Sequence, residues 1–531
     1  MNISIKKYID VERLLKIGIF LLLFLLLTGN LVTLSYGIES LNLMRVFSGD
    51  EASAVNRVLR NLEHNDLNPR GFYNYGYVYH TAGFYLLKTL NFFGFKVDAM
   101  LAALAFRVLS LLFYVLSGLF VYKIFTTCFR GDKILGLISV LVLLSTPKLS
   151  YWSTLTHPDS LQMLLVILAV YIVFSKHNTL HLFLGSAAAG LAFGTKYSGA
   201  FILPFLFFPY LFGFLNTSSK NTKAWMKLLA VVLIAILIFL SVWLLTNPYV
   251  LSNFDEFQKD FSFERGHVSR GHGKAEEANP FLWLVLLIEE LGFLYNIVLA
   301  GIGMVMVSLL IINRKYGFKK LINESVNINI LTLILYGGVA FIYLMLTVNM
   351  RRPRYFFHTL PFIIIIGIYG CQKLGSLFSK KWVKHSIAAV LLVLVSFQTM
   401  NVIAQVSTAT KKYEHEYIKA GEFLAESENT DVKILADSYS YVPPKFKSVR
   451  FIWGIDEEKI KKYEPDIIIL NARVTGKRAW KKSYSSFKNL VFRKGSLDNW
   501  GKSYRCLMKL FSPGSDWVNI YETENMVILK K

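Results

Sequence analysis

Long apolar stretches recur along the chain up to about residue 403, and short polar or charged segments separate them. They lie near residues 14–36, 99–121, 134–147, 160–175, 182–195, 198–215, 228–246, 282–312, 329–348, 359–371 and 386–403. A helix of about 20 apolar residues crosses the hydrocarbon core of a bilayer. The pattern therefore predicts an α-helical polytopic membrane protein with about eleven transmembrane helices, the shorter ones at the lower limit of span length.

Basic residues are concentrated in alternate loops between these stretches. One side of the predicted membrane carries Lys123, Arg130, Lys133, Lys176, Lys220, Lys223, Lys227, Arg314, Lys315, Lys319, Lys320, Lys373, Lys380, Lys381 and Lys384. Loops rich in Lys and Arg stay in the cytoplasm. We therefore predict a multi-pass plasma-membrane protein with a cytoplasmic N-terminus, a retained first span and an extracytoplasmic C-terminal region.

The pattern changes after about residue 405, where apolar runs become short. A helix is predicted over Glu414–Glu426. Short strands are predicted where runs with β-branched and aromatic residues are separated by turn residues. These runs are Val432–Ala436, Val449–Trp453, Asp466–Leu470, Val518–Tyr521 and Met526–Leu529. The sequence thus predicts two domains: a membrane domain over residues 1–405 and a small extracytoplasmic α/β domain over residues 406–531.

Composition agrees with a membrane protein and limits the choice of partners. The 531 residues are 54% hydrophobic, and the formal net charge is +23. Because much of this charge lies in short loops between apolar runs, it orients helices and contacts membrane lipids, and no nucleic-acid partner is predicted. The three cysteines, Cys128, Cys371 and Cys506, lie far apart and do not have the spacing of a metal site.

Two adjacent acids, Asp50 and Glu51, follow the first apolar stretch. Ser48 and Glu51 have the spacing of a capping box, so a structural reading assigns Glu51 to the start of a helix. That reading does not require Asp50, and an ionisable group beside the membrane marks a candidate functional site. Asp159, after His157 and Pro158, is a second acid in the first turn of a predicted helix, on the same side of the membrane.

Four basic residues lie at the outer ends of predicted spans. Lys196 lies between two apolar segments, where it needs a phosphate or carboxylate partner unless it extends to the headgroups. Arg351, Arg352 and Arg354 form a cluster on the side where basic residues are disfavoured. Guanidinium groups bind phosphate in a bidentate manner, so a lipid phosphate would explain them; anchoring to headgroups is the alternative.

Two outer segments are candidates for substrate contact. The first outer loop is rich in aromatic residues, including Tyr75 and Tyr79, and predicts interfacial helices that form either an aromatic belt or a platform for a sugar or lipid. The loop over residues 247–281 is rich in glycine and basic residues. It predicts a mobile flap over an anionic substrate, with a histidine metal pair as the weaker reading. The residues concerned are Arg265, His267, Arg270 and His272.

Together these residues resemble the GT-C superfamily of membrane glycosyltransferases that use phospholipid-carrier donors, such as the protein O-mannosyltransferases and the lipid A aminoarabinose transferase. The resemblance covers roughly residues 10–405. The matching pieces are Gly49-Asp50-Glu51, Asn68-Pro69 with the Tyr75–Tyr79 segment, His157-Pro158-Asp159-Ser160, Gly190-Leu191-Ala192 with Gly194-Thr195-Lys196, and Arg354-Tyr355 with Pro361. The chain lacks a lectin-like insertion and a Lys-Pro-Pro run in the first loop, and both departures weaken the case for a protein acceptor or for aminoarabinose.

The resemblance implies transfer of a sugar, with inversion, from a polyprenyl-phosphate donor to an extracytoplasmic glycan, lipid or protein acceptor. Asp50 would be the base that accepts the acceptor proton, and positive charge would stabilise the leaving phosphate. The implied catalytic set is Asp50, Glu51 and Asp159. The phosphate-binding set is Lys196, Arg351, Arg352, Arg354 and Tyr355, and the substrate or flap set is Tyr75, Tyr79, His157, Arg265, His267, Arg270 and His272.

No cofactor is required by this chemistry, because phosphate is already a good leaving group, and a divalent cation is optional. The competing interpretation is a transporter or flippase of lipid-linked sugars. Such a protein places its ionisable groups near the bilayer midplane, often in related halves of the chain. A non-catalytic membrane scaffold is a further alternative, but it leaves the outer arginines unexplained.

Overall fold

The structure is a computed structural model that describes residues 11–216, 222–270, 279–378, 381–426, 429–437, 440–451, 455–471, 494–523 and 526–531. Helices, most of them apolar, make up the part of the chain before the C-terminal sheet, and the predicted fold class is confirmed. The helices are α1 (Val11–Thr33), α2 (Leu41–Phe47), α3 (Gly49–His64), α4 (Val78–Phe92), α5 (Ala99–Lys123), α6 (Lys133–Leu144), α7 (Pro147–Ser153), α8 (Asp159–Ser175), α9 (Thr179–Thr195), α10 (Leu203–Asn216), α11 (Thr222–Thr246), α12 (Tyr249–Ser252), α13 (Phe254–Arg270), α14 (Leu282–Leu291), α15 (Tyr295–Asn323), α16 (Ser325–Thr347), α17 (Leu360–Ser376), α18 (Lys381–Ala425), α19 (Glu457–Tyr463) and α20 (Lys494–Leu510).

In the described ranges, seven helical segments are long and apolar enough to cross a membrane. They are Val11–Thr33, Ala99–Cys128, Tyr197–Leu215, Thr222–Thr246, Leu282–Gly317, Ser325–Thr347 and Trp382–Gln405. Helices α6 and α7 together form one further candidate that is bent by 71°, and α8, α9 and α17 are shorter apolar helices. Every predicted apolar stretch therefore lies mostly on helix, while the count of eleven spans stays a prediction.

The bend between α6 and α7 has a local cause. Helix α6 ends at Leu144, and α7 begins at Pro147, whose ring suits the first position of a helix because no N–H partner is needed there. Helix α7 then leads to the segment before α8. The bend thus brings the segment around His157 to the same end of the bundle as the first outer loop.

Close helix contacts in the membrane domain depend on small residues. Helices α15 and α17 pack against each other. A Cβ atom at Gly370 would lie 1.8 Å from the carbonyl oxygen of Gly301, so only glycine permits this approach. Small residues let transmembrane helices pack backbone to backbone, where van der Waals contact drives association.

The C-terminal part contains a five-stranded sheet in the order β2-β1-β3-β5-β4. The strands are β1 (Ile434–Asp437), β2 (Ser448–Phe451), β3 (Ile467–Asn471), β4 (Val518–Glu522) and β5 (Met526–Lys530). Strand β1 pairs in parallel with β2 and β3, and β5 pairs antiparallel to β3 and β4. All five predicted strands are confirmed within two residues at their ends, and the predicted end of the second strand, residues 452–453, lies outside the described residues.

Two sequence-based expectations about helices change. The helix predicted over Glu414–Glu426 is the last part of the long helix α18, which runs through residue 405, so the domain boundary there stays a prediction. A loop was predicted over residues 247–281. That prediction is wrong for Phe254–Arg270, which forms α13. Asp255 and Glu256 stand in its first turn, where the helix dipole stabilises acids, and a single interior glycine is tolerated.

Candidate active site

Asp50 lies in the first turn of α3, just after the N-cap residue Ser48. The Ser48 hydroxyl accepts a hydrogen bond from the Glu51 amide at 3.3 Å, which confirms one half of the predicted capping box. The other half does not form, because the Ser48 amide donates to the Met44 carbonyl at 2.9 Å. The Asp50 side chain is 52% exposed, so its carboxylate is accessible.

Glu51, by contrast, is completely buried against α5. Arg107 Nη2 and Nε donate to its two carboxylate oxygens at 2.7 and 2.8 Å, and the Thr156 amide donates to the same carboxylate at 2.9 Å. Burial would raise the pKa of Glu51, but Arg107 outweighs it and lowers that pKa. Arg107 was not among the predicted site residues, although a lone arginine within an apolar span signals a buried partner.

Two basic groups surround Asp50. Arg354 Nη1 lies 3.1 Å from Asp50 Oδ2 and 3.1 Å from His157 Nε2, and that histidine nitrogen is 3.9 Å from the Asp50 carboxylate. Burial would raise the pKa of Asp50, but the charges of Arg354 and His157 outweigh it and hold that pKa below its ordinary value. Asp50 is therefore held as a carboxylate beside a guanidinium.

Asp159 connects two further site residues. Its Oδ1 accepts a hydrogen bond from Lys196 Nζ at 2.6 Å, and its Oδ2 lies 2.9 Å from His157 Nδ1. The ring of His157 thus lies between two carboxylates, with one nitrogen facing Asp159 and the other facing Asp50 and Arg354. The buried Lys196 has the anionic partner that its position in the sequence requires.

The three clustered arginines occupy different environments. Arg354 lies at the site with a 13% exposed side chain, and its buried Nε has no hydrogen-bond partner in the described part of the chain. Arg351 is buried and donates to Asn349 Oδ1 at 3.3 Å. Arg352 is exposed. Of the three, the structure therefore brings Arg354 into contact with Asp50.

Aromatic rings enclose the charged groups. The Arg354 guanidinium lies 5.2 Å from the ring centroid of Trp152, and Lys196 Nζ lies 5.1 Å from that of Tyr355. The ring of Tyr75 packs edge-on against His157, with centroids 5.8 Å apart. Trp152, on α7 just before the His157 segment, was not among the predicted residues.

The segment that carries Tyr75 is held by backbone contacts. A Cβ atom at Gly76 would lie 1.9 Å from the Gly194 carbonyl oxygen, so the segment and the end of α9 touch at glycine. The Tyr77 amide donates to Asn247 Oδ1 at 2.6 Å. Tyr79 is fully buried away from this surface, where its hydroxyl lies 2.6 Å from Ser110 Oγ on α5.

The predicted flap residues lie on and after α13. Arg265 lines a cavity, His267 stacks on Phe263, and Arg270 is exposed with its Nε donating to the Gly266 carbonyl. His272 lies outside the described residues. Among the residues that the structure does describe, no group of three or more His, Cys, Asp or Glu side chains could hold a metal ion.

A cavity of about 640 Å³ lies next to the charged cluster and shares Tyr75, Lys196 and Tyr355 with it. Apolar side chains of the membrane helices line much of it, among them Phe201 and Leu344. Glu264 of α13 also lines this cavity; burial raises the pKa of its carboxyl. A space with an apolar wall and a cationic end suits an amphipathic anion.

Comparisons with solved structures show the fold of the chain. ArnT from Cupriavidus metallidurans bound to undecaprenyl phosphate has a TM-score of 0.53 and 12% identity, over 96% of this chain and 97% of that one. The oligosaccharyltransferase of Archaeoglobus fulgidus in its apo form has a TM-score of 0.51 and 11% identity, over 87% of this chain and 71% of that one. The chain has a GT-C fold.

A family comparison agrees with the GT-C fold. Residues 93–244 match the family described as dolichyl-phosphate-mannose-protein mannosyltransferase. The comparison with curated proteins finds no match. The resemblance to GT-C membrane glycosyltransferases that the sequence motifs predict is therefore confirmed, and the matching family and both solved structures are glycosyltransferases, as predicted for this chain.

Proposed function

We propose that this chain transfers a sugar from a polyprenyl-phosphate donor to an acceptor on the extracytoplasmic side of the plasma membrane. The contact of Asp50 with Arg354, beside an amphipathic cavity, is the observation that carries the proposal. In this proposal Asp50 is the base and Arg354 is the cation that binds the phosphate. The acceptor is a glycan, a lipid or a protein.

The cavity supports a lipid-linked donor. Its apolar wall comes from membrane helices, and Lys196 and Tyr355 lie where it meets the charged cluster. The isoprenoid chain would contact the apolar wall, and the phosphate would bind Arg354 and Lys196, because charge-assisted bonds to phosphate are strong. The solved ArnT structure holds undecaprenyl phosphate, which favours the same class of carrier here.

In the proposed reaction, the acceptor hydroxyl attacks the anomeric carbon and Asp50 accepts its proton. The new carbon–oxygen bond forms as the bond between that carbon and the phosphate oxygen breaks, and the electron pair leaves with the phosphate. Attack opposite the leaving group inverts the configuration. The cations stabilise the negative charge that accumulates on the departing phosphate.

Arg354 contributes twice to this scheme. A donor phosphate would compete with Asp50 for the Arg354 guanidinium, and loss of that partner would raise the basicity of Asp50. Donor binding would thereby prepare the base for the acceptor. Asp159 would orient His157 and Lys196, and Glu51 would hold the start of α3 through Arg107.

The test is turnover by the purified full-length protein. We expect release of lipid phosphate from at least one member of a panel of polyprenyl-phosphate sugars when an acceptor is present. A transporter or flippase would instead move the intact donor across proteoliposomes without releasing lipid phosphate. That outcome would replace the enzyme proposal with the alternative.

The orientation is tested separately with introduced cysteines. The native cysteines, Cys128, Cys371 and Cys506, are buried, so exposed replacements can be labelled selectively. Asp516→Cys in the C-terminal region should react with an impermeant thiol reagent in intact cells. The matched control, Lys373→Cys, should react only after lysis. The opposite pattern would reverse the predicted topology.

A further inference from the structure

Helix α2 joins the C-terminal sheet to the segment that carries Asp50. This seven-residue helix begins after Ser40, whose hydroxyl accepts a hydrogen bond from the Leu43 amide. It ends at Ser48, which is also the N-cap of α3. Only Gly49 separates this shared cap from Asp50, so a displacement of α2 moves the start of α3 with it.

The two faces of α2 are buried in different hydrophobic cores. Met44 is fully buried in the core of the membrane helices. Leu43 and Val46 are buried in the core on one face of the C-terminal sheet, together with Leu424 and Val442. Because both faces are packed, the position of α2 depends on the sheet as well as on the membrane domain.

Hydrogen bonds reinforce this packing. Asn42 Nδ2 donates to the Val442 carbonyl at 3.2 Å, and Arg450 Nη2 lies 3.4 Å from Asn42 Oδ1. The other terminal nitrogen of Arg450 donates to the carbonyls of Asp437 and Ser440 at 3.2 and 2.7 Å. Arg450 thus links α2 directly to the end of strand β1.

The partners of Asp50 are held by other elements. Arg354 lies on the turn Pro353–Tyr355, and His157 lies just before α8. Neither element is part of α2 or of the sheet. The distance between Asp50 and Arg354 is therefore set by two separate supports, one of which includes the C-terminal sheet.

We infer that the C-terminal sheet positions Asp50 for catalysis through α2, with Asn42 and Arg450 as the positioning residues. The inference rests on the proposed function, in which Asp50 is the base. Catalytic geometry is sensitive to small shifts, since a displacement of about 1 Å can lower a rate by roughly 100-fold. The sheet then affects the chemistry without contacting the substrate.

The first arm of the test measures turnover of full-length Asn42→Ala and Arg450→Ala. We expect kcat to fall by about 10-fold or more while donor affinity is unchanged, because the base moves and the phosphate site does not. The double variant should lose little more than either single one, since both remove the same contact. Asn42→Asp keeps an acceptor for Arg450 and should retain more activity than Asn42→Ala.

The control is Leu507→Ala. Leu507 is buried on the opposite face of the same sheet, in a separate core with Phe451 and Ile455. This variant should lower the thermal stability of the C-terminal part but leave kcat of the folded protein unchanged. If Leu507→Ala lowers kcat as much as Arg450→Ala does, the sheet acts only through stability and the inference is overturned.

The second arm does not depend on activity. Spin labels at Arg60→Cys on α3 and Leu346→Cys at the end of α16 report the position of α3 relative to the membrane helices; both positions are exposed. We expect Arg450→Ala to shift or broaden their distance distribution and Leu507→Ala to leave it unchanged. An unchanged distribution in Arg450→Ala overturns the inference. A shift in a protein that transfers no sugar contradicts the proposed function alone.

Discussion

Asp50 and Glu51 are neighbours in the chain, but the structure places them in opposite environments. The Asp50 side chain is 52% exposed and lies beside Arg354, whereas that of Glu51 is 0% exposed and is held by Arg107 and the Thr156 amide. Successive residues of a helix point about 100° apart, so one step is enough to separate the two carboxylates.

This difference distinguishes a carboxylate that can accept a proton, Asp50, from one that holds the local structure, Glu51. Both oxygens of Glu51 already accept hydrogen bonds in a buried site, and any proton transfer there would break a bidentate ion pair. Among the described residues, Asp50 has a single cationic neighbour within hydrogen-bond distance, and a phosphate can compete for that neighbour. We therefore favour Asp50 as the base and Glu51 as its support, and four predictions test this comparison.

The largest expected effect is on Asp50. Asp50→Asn removes the proton acceptor but nearly preserves the shape of the side chain, so turnover should fall by about 10²–10⁴-fold with donor affinity largely kept. The measurement is release of lipid phosphate by purified protein with verified folding. Glu63→Gln, an exposed acid on the same helix, is the matched control and should keep normal turnover. Near-native turnover of Asp50→Asn would exclude it as the base.

The second prediction concerns stability. Glu51→Gln leaves Arg107 buried without its counter-charge, and breaking a buried ion pair in this way costs about 3–5 kcal/mol. The melting temperature in detergent should fall clearly, while the folded fraction keeps more activity than Asp50→Asn. Replacing both partners, as in Glu51→Met with Arg107→Met, should recover much of the loss. If Glu51→Gln is folded and stable but inactive, Glu51 is the base and Asp50 is its support.

The third prediction concerns the donor. Arg354→Ala removes a charge-assisted contact, and we expect donor binding to weaken by about 1.5–3 kcal/mol, or roughly 10–150-fold in Kd. Equilibrium binding of a polyprenyl phosphate measures this directly. Arg352→Ala should weaken binding less, because Arg352 is exposed and does not contact Asp50. If the wild type and both variants bind the polyprenyl phosphate with equal affinity, these arginines are headgroup anchors.

The smallest effect is on the pH dependence. Asp50 acts in its deprotonated form, and in the donor-free protein Arg354 lowers its pKa, so kcat/KM should be lost only when the pH falls through that lowered value. Arg354→Ala removes the largest charge that lowers the pKa of Asp50, so the acidic limb of kcat/KM should move to higher pH. A pH–rate profile of each variant measures the shift, with Arg352→Ala as control. If the acidic limb does not move, Arg354 does not affect the titration of Asp50.

The sequence could predict the fold because its signals are local. Apolar runs such as 228–246 must form helices in a bilayer, since no water is present there to satisfy backbone groups. The short strands of the C-terminal sheet follow from short apolar runs that turn residues separate, as at Ile467–Asn471. The prediction of a loop was wrong for Phe254–Arg270 because the glycine and basic residues near the end of this segment are more typical of a loop than of a helix.

The candidate site was predictable only as a set of residues. Sequence motifs alone selected Asp50, Asp159, Lys196 and Arg354 as polar groups at the outer ends of spans, because ionisable side chains are costly near lipid without a function or a partner. They could not show that Arg354 rather than Arg351 or Arg352 contacts Asp50. That choice depends on how the turn Pro353–Tyr355 packs against the ends of α3 and α7.

The sequence by itself thus determined the class of protein and the kinds of residue in its candidate site. Only the tertiary structure decided which groups pair: Arg107 with Glu51, Lys196 with Asp159, and Arg450 with Asn42 of α2. These partners lie from 37 to 408 positions apart in the chain. No local pattern encodes such pairs, because an ion pair or hydrogen bond depends on distances of about 3 Å that the packing of whole helices and strands sets.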